Sequence, residues 1–210
     1  MKRKDRYGKK NRLICAGVAL MIMSFVFAGF NLWDDFRAGR SASDALRSVL
    51  AQAGRLDDMS VFPDMEMPTV ESGGIRYIGE LRVPELGLEL PVISSLSSQF
   101  LRTAPCRYSG SAYNDTMVIA AHNYISHFGR LNQLSQNSEI VFVDVGGNEF
   151  VYRVAELEVL QPYDVKQMKE NDHDLTLFTC TIGGRSRVTV RCDRDQSTVS
   201  GCNGYLSDSK

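Results

Sequence analysis

The longest apolar run in the chain lies near its N-terminus. Residues 13–33, LICAGVALMIMSFVFAGFNLW, hold no charged residue, and their only strongly polar members are Ser24 and Asn31. Because an α-helix rises about 1.5 Å per residue, this segment spans about 30 Å, the thickness of the hydrocarbon core of a bilayer. A soluble helix would show a polar face, and this run shows none. The pattern therefore predicts a transmembrane helix.

The flanks of this run indicate an uncleaved anchor. The apolar region of a cleaved signal peptide is about 7–15 residues long, and the sequence from Asn31 onward is a poor cleavage site. A lipoprotein site at Cys15 fails because Ile14 stands where a small residue is needed. Residues 1–12 carry seven basic residues and one acidic residue, a net charge of +6. By the positive-inside rule we expect 1–12 to be a cytoplasmic stub and the C-terminal bulk to lie outside the cell.

The next 41 residues, 34–74, are predicted to form an N-terminal helix and a linker or cover segment. Residues 38–55 have the spacing of a short helix, which Ser41 or Ser43 could cap. Its apolar stripe consists of Ala45, Leu46, Val49, Leu50 and Ala53. Residues 56–74 contain prolines and glycines with little periodicity, which is typical of a linker.

From residue 75 onward, short β-rich runs are separated by Gly, Asn, Asp and Ser clusters. The runs are IRYIGELRV, LELPVI, TMVIAA, EIVFVDV, FVYRVAELEVL, LTLFTC and RVTVRC. They predict seven or eight strands within residues 75–195, and closing them into a β-barrel removes exposed edges. Residues 144–148 are typical of a hairpin turn. Helical signal is sparse, and residues 196–210 are predicted to be a polar tail.

The charge distribution excludes one class of function. The whole chain has a formal net charge of -1, but residues 34–210 alone carry 17 basic and 24 acidic residues, a net of -7. The basic residues of the stub serve membrane orientation. A protein held to nucleic acid by phosphate contacts would need a basic surface on the globular part. We therefore expect no nucleic-acid partner.

Four cysteines follow the anchor, and one of them differs from the rest. Cys106, Cys180, Cys192 and Cys202 could form two disulfides in three connectivities, although a barrel of this size does not need them. With no CxxC pair and only three histidines, zinc has little support, and we expect no metal and no cofactor. Cys192 is expected to be buried, whereas Cys106 and Cys202 lie in loop-like or tail contexts without an assigned role. Cys180 ends a strand directly before the loop TIGGRS.

An arginine follows that loop. If LTLFTC and RVTVRC are antiparallel neighbours, Cys180 and Arg187 can face each other. A guanidinium next to a thiol lowers the thiol pKa and offers donors to a developing oxyanion. Arg191 lies roughly 13 Å further along the strand and cannot serve the same sulfur, while Arg185 remains an alternative to Arg187. On spacing alone, a core cysteine beside a solvated arginine is the simpler interpretation.

A thiol nucleophile that cleaves an amide also needs a proton donor for the leaving amine, usually histidine. His173 lies in a charged stretch and is most simply a surface residue. His127 opens a short predicted helix, where capping or packing explains it. His122 directly follows the strand TMVIAA, at a position from which side chains often project into sites. A buried structural histidine is the simpler interpretation there, and spacing alone leaves open whether His122 meets Cys180.

Together these segments resemble the sortase family. LTLFTC matches the TLxTC signature, SRVTVR resembles the arginine strand, MVIAAHNY resembles the histidine segment, and IGELRVPELGLELPV is similar to the opening strands. The likeness covers about residues 75–193 and keeps the family order of His, Cys and Arg. It implies an all-β fold, an eight-stranded sortase-like β-barrel with short helices, preceded by one N-terminal transmembrane helix. It also implies a cysteine transpeptidase at the surface of a Gram-positive-type bacterium.

The resemblance also implies roles for individual residues. Cys180 would attack a backbone carbonyl in an LPxTG-like sorting signal, His122 would protonate the leaving amine, and Arg187 would stabilise the thiolate or oxyanion. Thr179, next to the nucleophile, would be a supporting substrate or oxyanion contact. The substrates would be surface proteins with such signals, and the acceptor would be an amine of a peptidoglycan cross-bridge or of a pilin lysine. The subclass stays open, because VFPDMEMPTV before the barrel lacks the aspartate-proline order of a pilus-sortase lid.

Other classes of protein fit less well. The nucleophile of an L,D-transpeptidase lies in a serine-x-glycine-cysteine setting, which Thr-Cys-Thr does not match. A papain-like protease has its cysteine before its histidine, the reverse of the order here. The remaining alternative is a non-catalytic anchored β-barrel that binds a cell-wall component or a partner protein, with Cys180 inert.

Overall fold

The computed structural model describes residues 4–53, 62–164, 166–167, 172–181 and 183–195. These residues form one long α-helix, α1 (Lys4–Ala53), and nine strands. The strands are β1 (Val70–Ser72), β2 (Ile75–Val83), β3 (Leu88–Ile93), β4 (Cys106–Ser109), β5 (Met117–Ala121), β6 (Glu139–Asp144), β7 (Glu149–Leu160), β8 (Leu175–Cys180) and β9 (Arg187–Arg194). Short 3₁₀ helices lie at Pro84–Leu86, Phe100–Arg102 and Leu131–Gln133. The chain divides into two compact units, Met1–Arg37 and Ala38–Lys210.

The first unit consists of the N-terminal part of α1. Its apolar side chains, among them Leu20, Phe25, Leu32 and Trp33, are exposed in the isolated chain. By length and composition α1 could cross a membrane. The predicted apolar helix is thus present.

The helix predicted over residues 38–55 does not begin as a separate helix. The helix runs without a break through Ser41 and Ser43, so neither residue caps a separate helix. Ser43 instead donates a hydrogen bond through Oγ to the carbonyl of Gly39, one turn earlier, at 3.0 Å. The prediction of a new helix start was wrong because residues 34–42 contain no proline, and a single glycine does not end a helix.

The buried face of α1 also starts earlier than predicted. Ala38, Ala42, Leu46 and Val49 are buried in the second unit, whereas Leu50 is exposed. Ala42 joins the main core and Val49 joins a smaller cluster. Their spacing of three to four residues is that of one helix face. The C-terminal part of α1, from Ala38 onward, therefore packs as part of the second unit.

The nine strands form one sheet in the order β1-β2-β3-β4-β5-β8-β9-β7-β6, and β6 pairs back onto β2. Strands β2 to β9 thus close an eight-stranded barrel, to which β1 adds a short antiparallel ribbon on β2. Two of the pairings, β3–β4 and β5–β8, are parallel. The predicted fold class is confirmed.

The prediction missed β1 and β4 and recovered the other strands to within a residue or two at each end. β4 has only four residues, CRYS, too few to show alternation. As a consequence Cys106, predicted to lie in a loop, is in a strand and completely buried. Cys192 is buried as expected. Cys202 and the predicted tail, 196–210, lie outside the described residues, as do residues 56–61 of the predicted 56–74 linker.

The predicted hairpin turn joins β6 to β7, and Asp144 organises it. Its carboxylate accepts hydrogen bonds from the Asn148 backbone N–H at 2.9 Å and from Asn148 Nδ2 at 2.8 Å. The Tyr113 hydroxyl donates a third at 2.6 Å. Burial and the adjacent carboxylate raise the pKa of Tyr113, so the phenol keeps the proton that it donates.

We expect Asp144→Ala to lower the free energy of unfolding by about 3 kcal/mol, because it leaves the buried Tyr113 hydroxyl and the half-buried donors of Asn148 without an acceptor. Urea unfolding of the full chain in detergent, followed by tyrosine fluorescence, measures this change. Glu149→Ala is the matched control, since Glu149 is exposed at the same turn and its loss should cost less than about 0.5 kcal/mol. An equal effect of both substitutions would contradict this account of the turn.

Candidate functional site

The site lies on the outer face of the barrel. Side chains alternate along a strand, and the inward residues of β5, such as Ile119, belong to the main core. The outward residues form a separate apolar cluster, which we call the outer patch: Val118, Ala120, Leu160 and Phe178, with Leu101 and Tyr108 packed against them. Tyr108 meets Phe178 edge to face, with ring centroids 5.3 Å apart.

The strand register brings the candidate residues together at the edge of this patch. In the antiparallel β8–β9 pair, Cys180 lies opposite Arg187. In the parallel β5–β8 pair, Ala121 lies opposite Thr179, so His122 follows at the level of Cys180. Arg187 in turn lies opposite Leu160 of β7. Because neighbouring strands are about 4.8 Å apart, His122, Cys180, Arg187 and Leu160 form one row, which we call the terminal row.

Thr179 lies one position before this row and is buried, with only 3% of its surface exposed. Its hydroxyl donates a hydrogen bond to the carbonyl of Ala121 at 2.8 Å. This bond holds β8 to β5 directly before both Cys180 and His122. The predicted substrate contact of Thr179 stays a prediction, whereas this positioning contact is one that the sequence did not suggest.

The sequence left open whether Arg185 or Arg187 is the partner of Cys180, and the structure places these two arginines differently. Arg187 is half-buried in the terminal row, and its Nη1 donates to the carbonyls of Gly184 at 3.2 Å and Ser186 at 3.1 Å. Arg185 is exposed in the loop, outside the strand pairing. The loop returns tightly because Gly183 and Gly184 adopt positive φ angles of 87° and 71°. The register thus favours Arg187 as the partner of Cys180.

Arg191 serves a different part of the barrel, as its distance along β9 predicts. It lies opposite Thr176 rather than Cys180 and is 3% exposed. Its guanidinium donates to Glu158 at 2.6 Å, to the Thr176 hydroxyl at 2.9 Å and to the Gln167 carbonyl at 2.9 Å. Arg191 therefore fastens the connection between β7 and β8 to the sheet.

Of the three histidines, only His122 reaches the terminal row. His122 is half-buried, and its ring centroid lies 5.2 Å from that of Tyr124. His127 is completely buried, which fits the packing role suggested by the sequence. His173 lies two residues before the first residue of β8, and its Nδ1 is 2.6 Å from Oδ1 of Asp193. It is separated from Cys180 by the whole strand, roughly 20 Å.

The family model for the sortase domain matches residues 81–195 of this chain. The chain belongs to the sortase family. The match covers more than half of the sequence and includes β3 to β9 with the whole terminal row. Membership of the family supports a transpeptidase. No curated protein sequence matches the chain.

Solved sortase structures share the fold of this sortase. Sortase A from Corynebacterium diphtheriae aligns at a TM-score of 0.54 and 18% identity, covering 79% of this chain and 92% of that one. A Clostridium perfringens sortase D5 transpeptidase aligns at 0.50 and 21%, covering 57% and 79%. A C. perfringens sortase C with the C-terminal cell wall sorting motif aligns at 0.51 and 17%, covering 73% and 90%.

Thiol accessibility separates Cys180 from the other described cysteines of the barrel. All are free thiols, but Cys106 and Cys192 are buried and only Cys180 is half-exposed. Burial raises the pKa of Cys106 to about 12 and also raises the pKa of Cys192. Since the thiolate is the reactive form, neither buried thiol should react near neutral pH while the barrel is folded.

We therefore expect a methanethiosulfonate reagent to label Cys180 at least about tenfold faster than Cys106 or Cys192 at pH 7.5. Peptide mapping by mass spectrometry measures the three rates. Arg187→Ala should slow the labelling of Cys180, because it removes the cation opposite the sulfur, whereas Arg185→Ala should leave it unchanged. The reverse order of these two variants would transfer the role to Arg185.

Proposed function

We propose that this sortase is a cysteine transpeptidase that cleaves an LPxTG-like sorting signal through a thioacyl enzyme and transfers the acyl group to an amine. The observation that carries the proposal is the terminal row, in which the half-exposed thiol at the end of β8 lies between the histidine that directly follows β5 and the arginine that begins β9. Nucleophile, proton donor and oxyanion donor are the three groups that acyl transfer needs.

In the acylation step, the thiolate of Cys180 attacks the carbonyl carbon of the scissile peptide bond. The developing oxyanion is stabilised by the guanidinium of Arg187. Its Nη1 donates to the loop carbonyls of Gly184 and Ser186, so Nε and Nη2 are the donors that the oxyanion would use. His122, as imidazolium, protonates the nitrogen of the leaving amine as the carbon–nitrogen bond breaks. The products are a thioester on Cys180, a free amine and a neutral His122.

In the transfer step, the incoming amine attacks the thioester carbonyl. Neutral His122 takes the proton from the attacking nitrogen, and the sulfur of Cys180 leaves as a thiolate. The original protonation states are then restored. Transfer requires that the amine react faster than water, so the acceptor must be bound next to the thioester.

The outer patch supports a peptide substrate with apolar residues. Phe178 lies two positions before Cys180 on the same face, and Leu160 lies beside Arg187. An apolar signal residue could therefore rest against the patch while its carbonyl meets the terminal row. The matched C. perfringens sortase C with its sorting motif also favours this class of substrate.

The proposed setting is the outer surface of the cell membrane. Helix α1 provides a candidate span, and the basic flank of residues 1–12 favours a cytoplasmic N-terminus. The barrel would then meet surface proteins as they leave the membrane. The acceptor would be a peptidoglycan cross-bridge amine or a pilin lysine.

A transfer assay tests the proposal. The full chain in detergent is incubated with an LPxTG-type peptide, alone and with either a triglycine or a lysine-containing peptide as acceptor. We expect a ligated product that contains the N-terminal part of the signal joined to one acceptor. Binding of the peptide without cleavage would instead support the non-catalytic barrel, and the acceptor used would separate wall anchoring from pilus assembly.

A further inference from the structure

The loop that carries His122 is folded tightly on itself. It joins β5 to the 3₁₀ helix at Leu131–Gln133. The Phe128 N–H donates to the carbonyl of His122 at 3.2 Å, and the N–H groups of His127 and Gly129 donate to the carbonyl of Tyr124 at 3.0 and 2.8 Å. A displacement of one part of this loop is therefore transmitted to the rest.

One side of the loop is fixed in the barrel. His127 and Phe128 are both completely buried, and Phe128 belongs to the main core. The ring of Tyr124 lies between two histidines, with its centroid 5.2 Å from that of His122 and 5.5 Å from that of His127. The orientation of the His122 ring thus depends on the position of the segment 124–128.

The other side of the loop meets α1 at Gly39. A Cβ atom placed on Gly39 would lie 3.0 Å from Cβ and 3.4 Å from Oγ of Ser126. The neighbouring helix residues Ala38 and Ala42 are buried, so α1 has little freedom to move away. Glycine is unfavourable inside a helix compared with alanine, and close approach to Ser126 gives a physical reason for it here.

We propose that Gly39 is a positioning residue, which lets α1 seat against Ser126 and so holds the loop that orients His122. The inference rests on the proposed role of His122 as proton donor. Residues 38–53 of α1 would then position the site, in addition to joining the barrel to the apolar segment. The loop is then held between the core, through Phe128, and the helix, through Gly39.

The test compares two substrates on the full chain in detergent. One is an amide sorting peptide, whose leaving amine needs a proton from His122. The other carries an ester at the scissile bond with a phenolate leaving group, which departs without that proton. Gly39→Leu should reduce kcat/KM for the amide about 10- to 100-fold, the scale of a misplaced proton donor, but for the ester less than about threefold.

The control is Gly29→Leu, since a Cβ on Gly29 would meet no described atom within 4 Å apart from its chain neighbours and the backbone of its own helix. This variant should convert both substrates at the unsubstituted rate. Gly39→Ala provides a milder change if the leucine variant does not fold. It should slow the amide selectively, and Ser126→Gly in the same chain should restore the rate by removing the opposing Cβ.

An equal loss on both substrates, or no loss on either, would overturn the positioning role of Gly39. Labelling of Cys180 by a methanethiosulfonate reagent should keep its rate in the Gly39 variants, and a slowed rate would assign the effect to the whole barrel instead. If the unsubstituted chain consumed neither substrate, the proposed transpeptidase function itself would fail, and this proposal with it.

Discussion

Cys180→Ala is expected to lower the rate of cleavage and transfer of an LPxTG-type peptide by at least about four orders of magnitude, because the variant has no atom that can form the thioacyl bond. Cys180 lies at the end of β8 and is half-exposed, so loss of its sulfur should leave the barrel folded. Product formation by mass spectrometry, with far-UV circular dichroism on the same sample, measures both parts of the prediction.

The matched control for this variant is Cys15→Ala. Cys15 is an exposed cysteine of α1, far along the sequence from the terminal row, and its loss should change neither activity nor the spectrum. Activity retained by Cys180→Ala would show that Cys180 is not the nucleophile and would contradict the proposed mechanism.

His122→Ala should reduce kcat/KM for the same amide peptide by about 10²- to 10⁴-fold, the usual contribution of a general acid. His122 is the described histidine that reaches the level of Cys180. Steady-state kinetics against an activated ester should show a much smaller loss, because the ester does not require protonation of its leaving group. An equal loss on both would point to a structural role instead.

His173→Ala is the control for His122, since His173 pairs with Asp193 at the other end of β8 and should be dispensable. His127 is a poorer control than the sequence suggests. It is completely buried, so His127→Ala should lose stability through the cavity that it creates. If His173→Ala were the inactive variant, the terminal row would not be the site.

The fold could be predicted where a local pattern carries it. Runs such as IRYIGELRV and LELPVI coincide with β2 and β3, because apolar and β-branched residues bounded by turn residues define strands locally. β4 was not predicted, because four residues are too few to show an alternating pattern. The continuity of α1 through Ser41 and Ser43 was not predicted, because a capping residue favours a helix start only where something ends the preceding helix.

The candidate site, too, could be predicted only where neighbouring strands in the sequence carry it. The pairing of Cys180 with Arg187 follows from a hairpin of adjacent strands, so it could be predicted from spacing. The approach of His122 depends on the parallel pairing of β5 with β8, which are separated by more than 50 residues. No local pattern encodes that pairing, and only the resemblance to the family suggested it. The contact of Gly39 with Ser126 is equally non-local.

Capture of the thioacyl enzyme tests the central claim most directly. The full chain is mixed with a library of sorting-signal peptides without an acceptor amine, quenched in acid and digested for mass spectrometry. We expect an adduct equal in mass to the N-terminal acyl fragment of a peptide, attached to Cys180 and released by hydroxylamine. Cleavage of the peptides with no adduct on Cys180, or with an adduct on another residue, would contradict it.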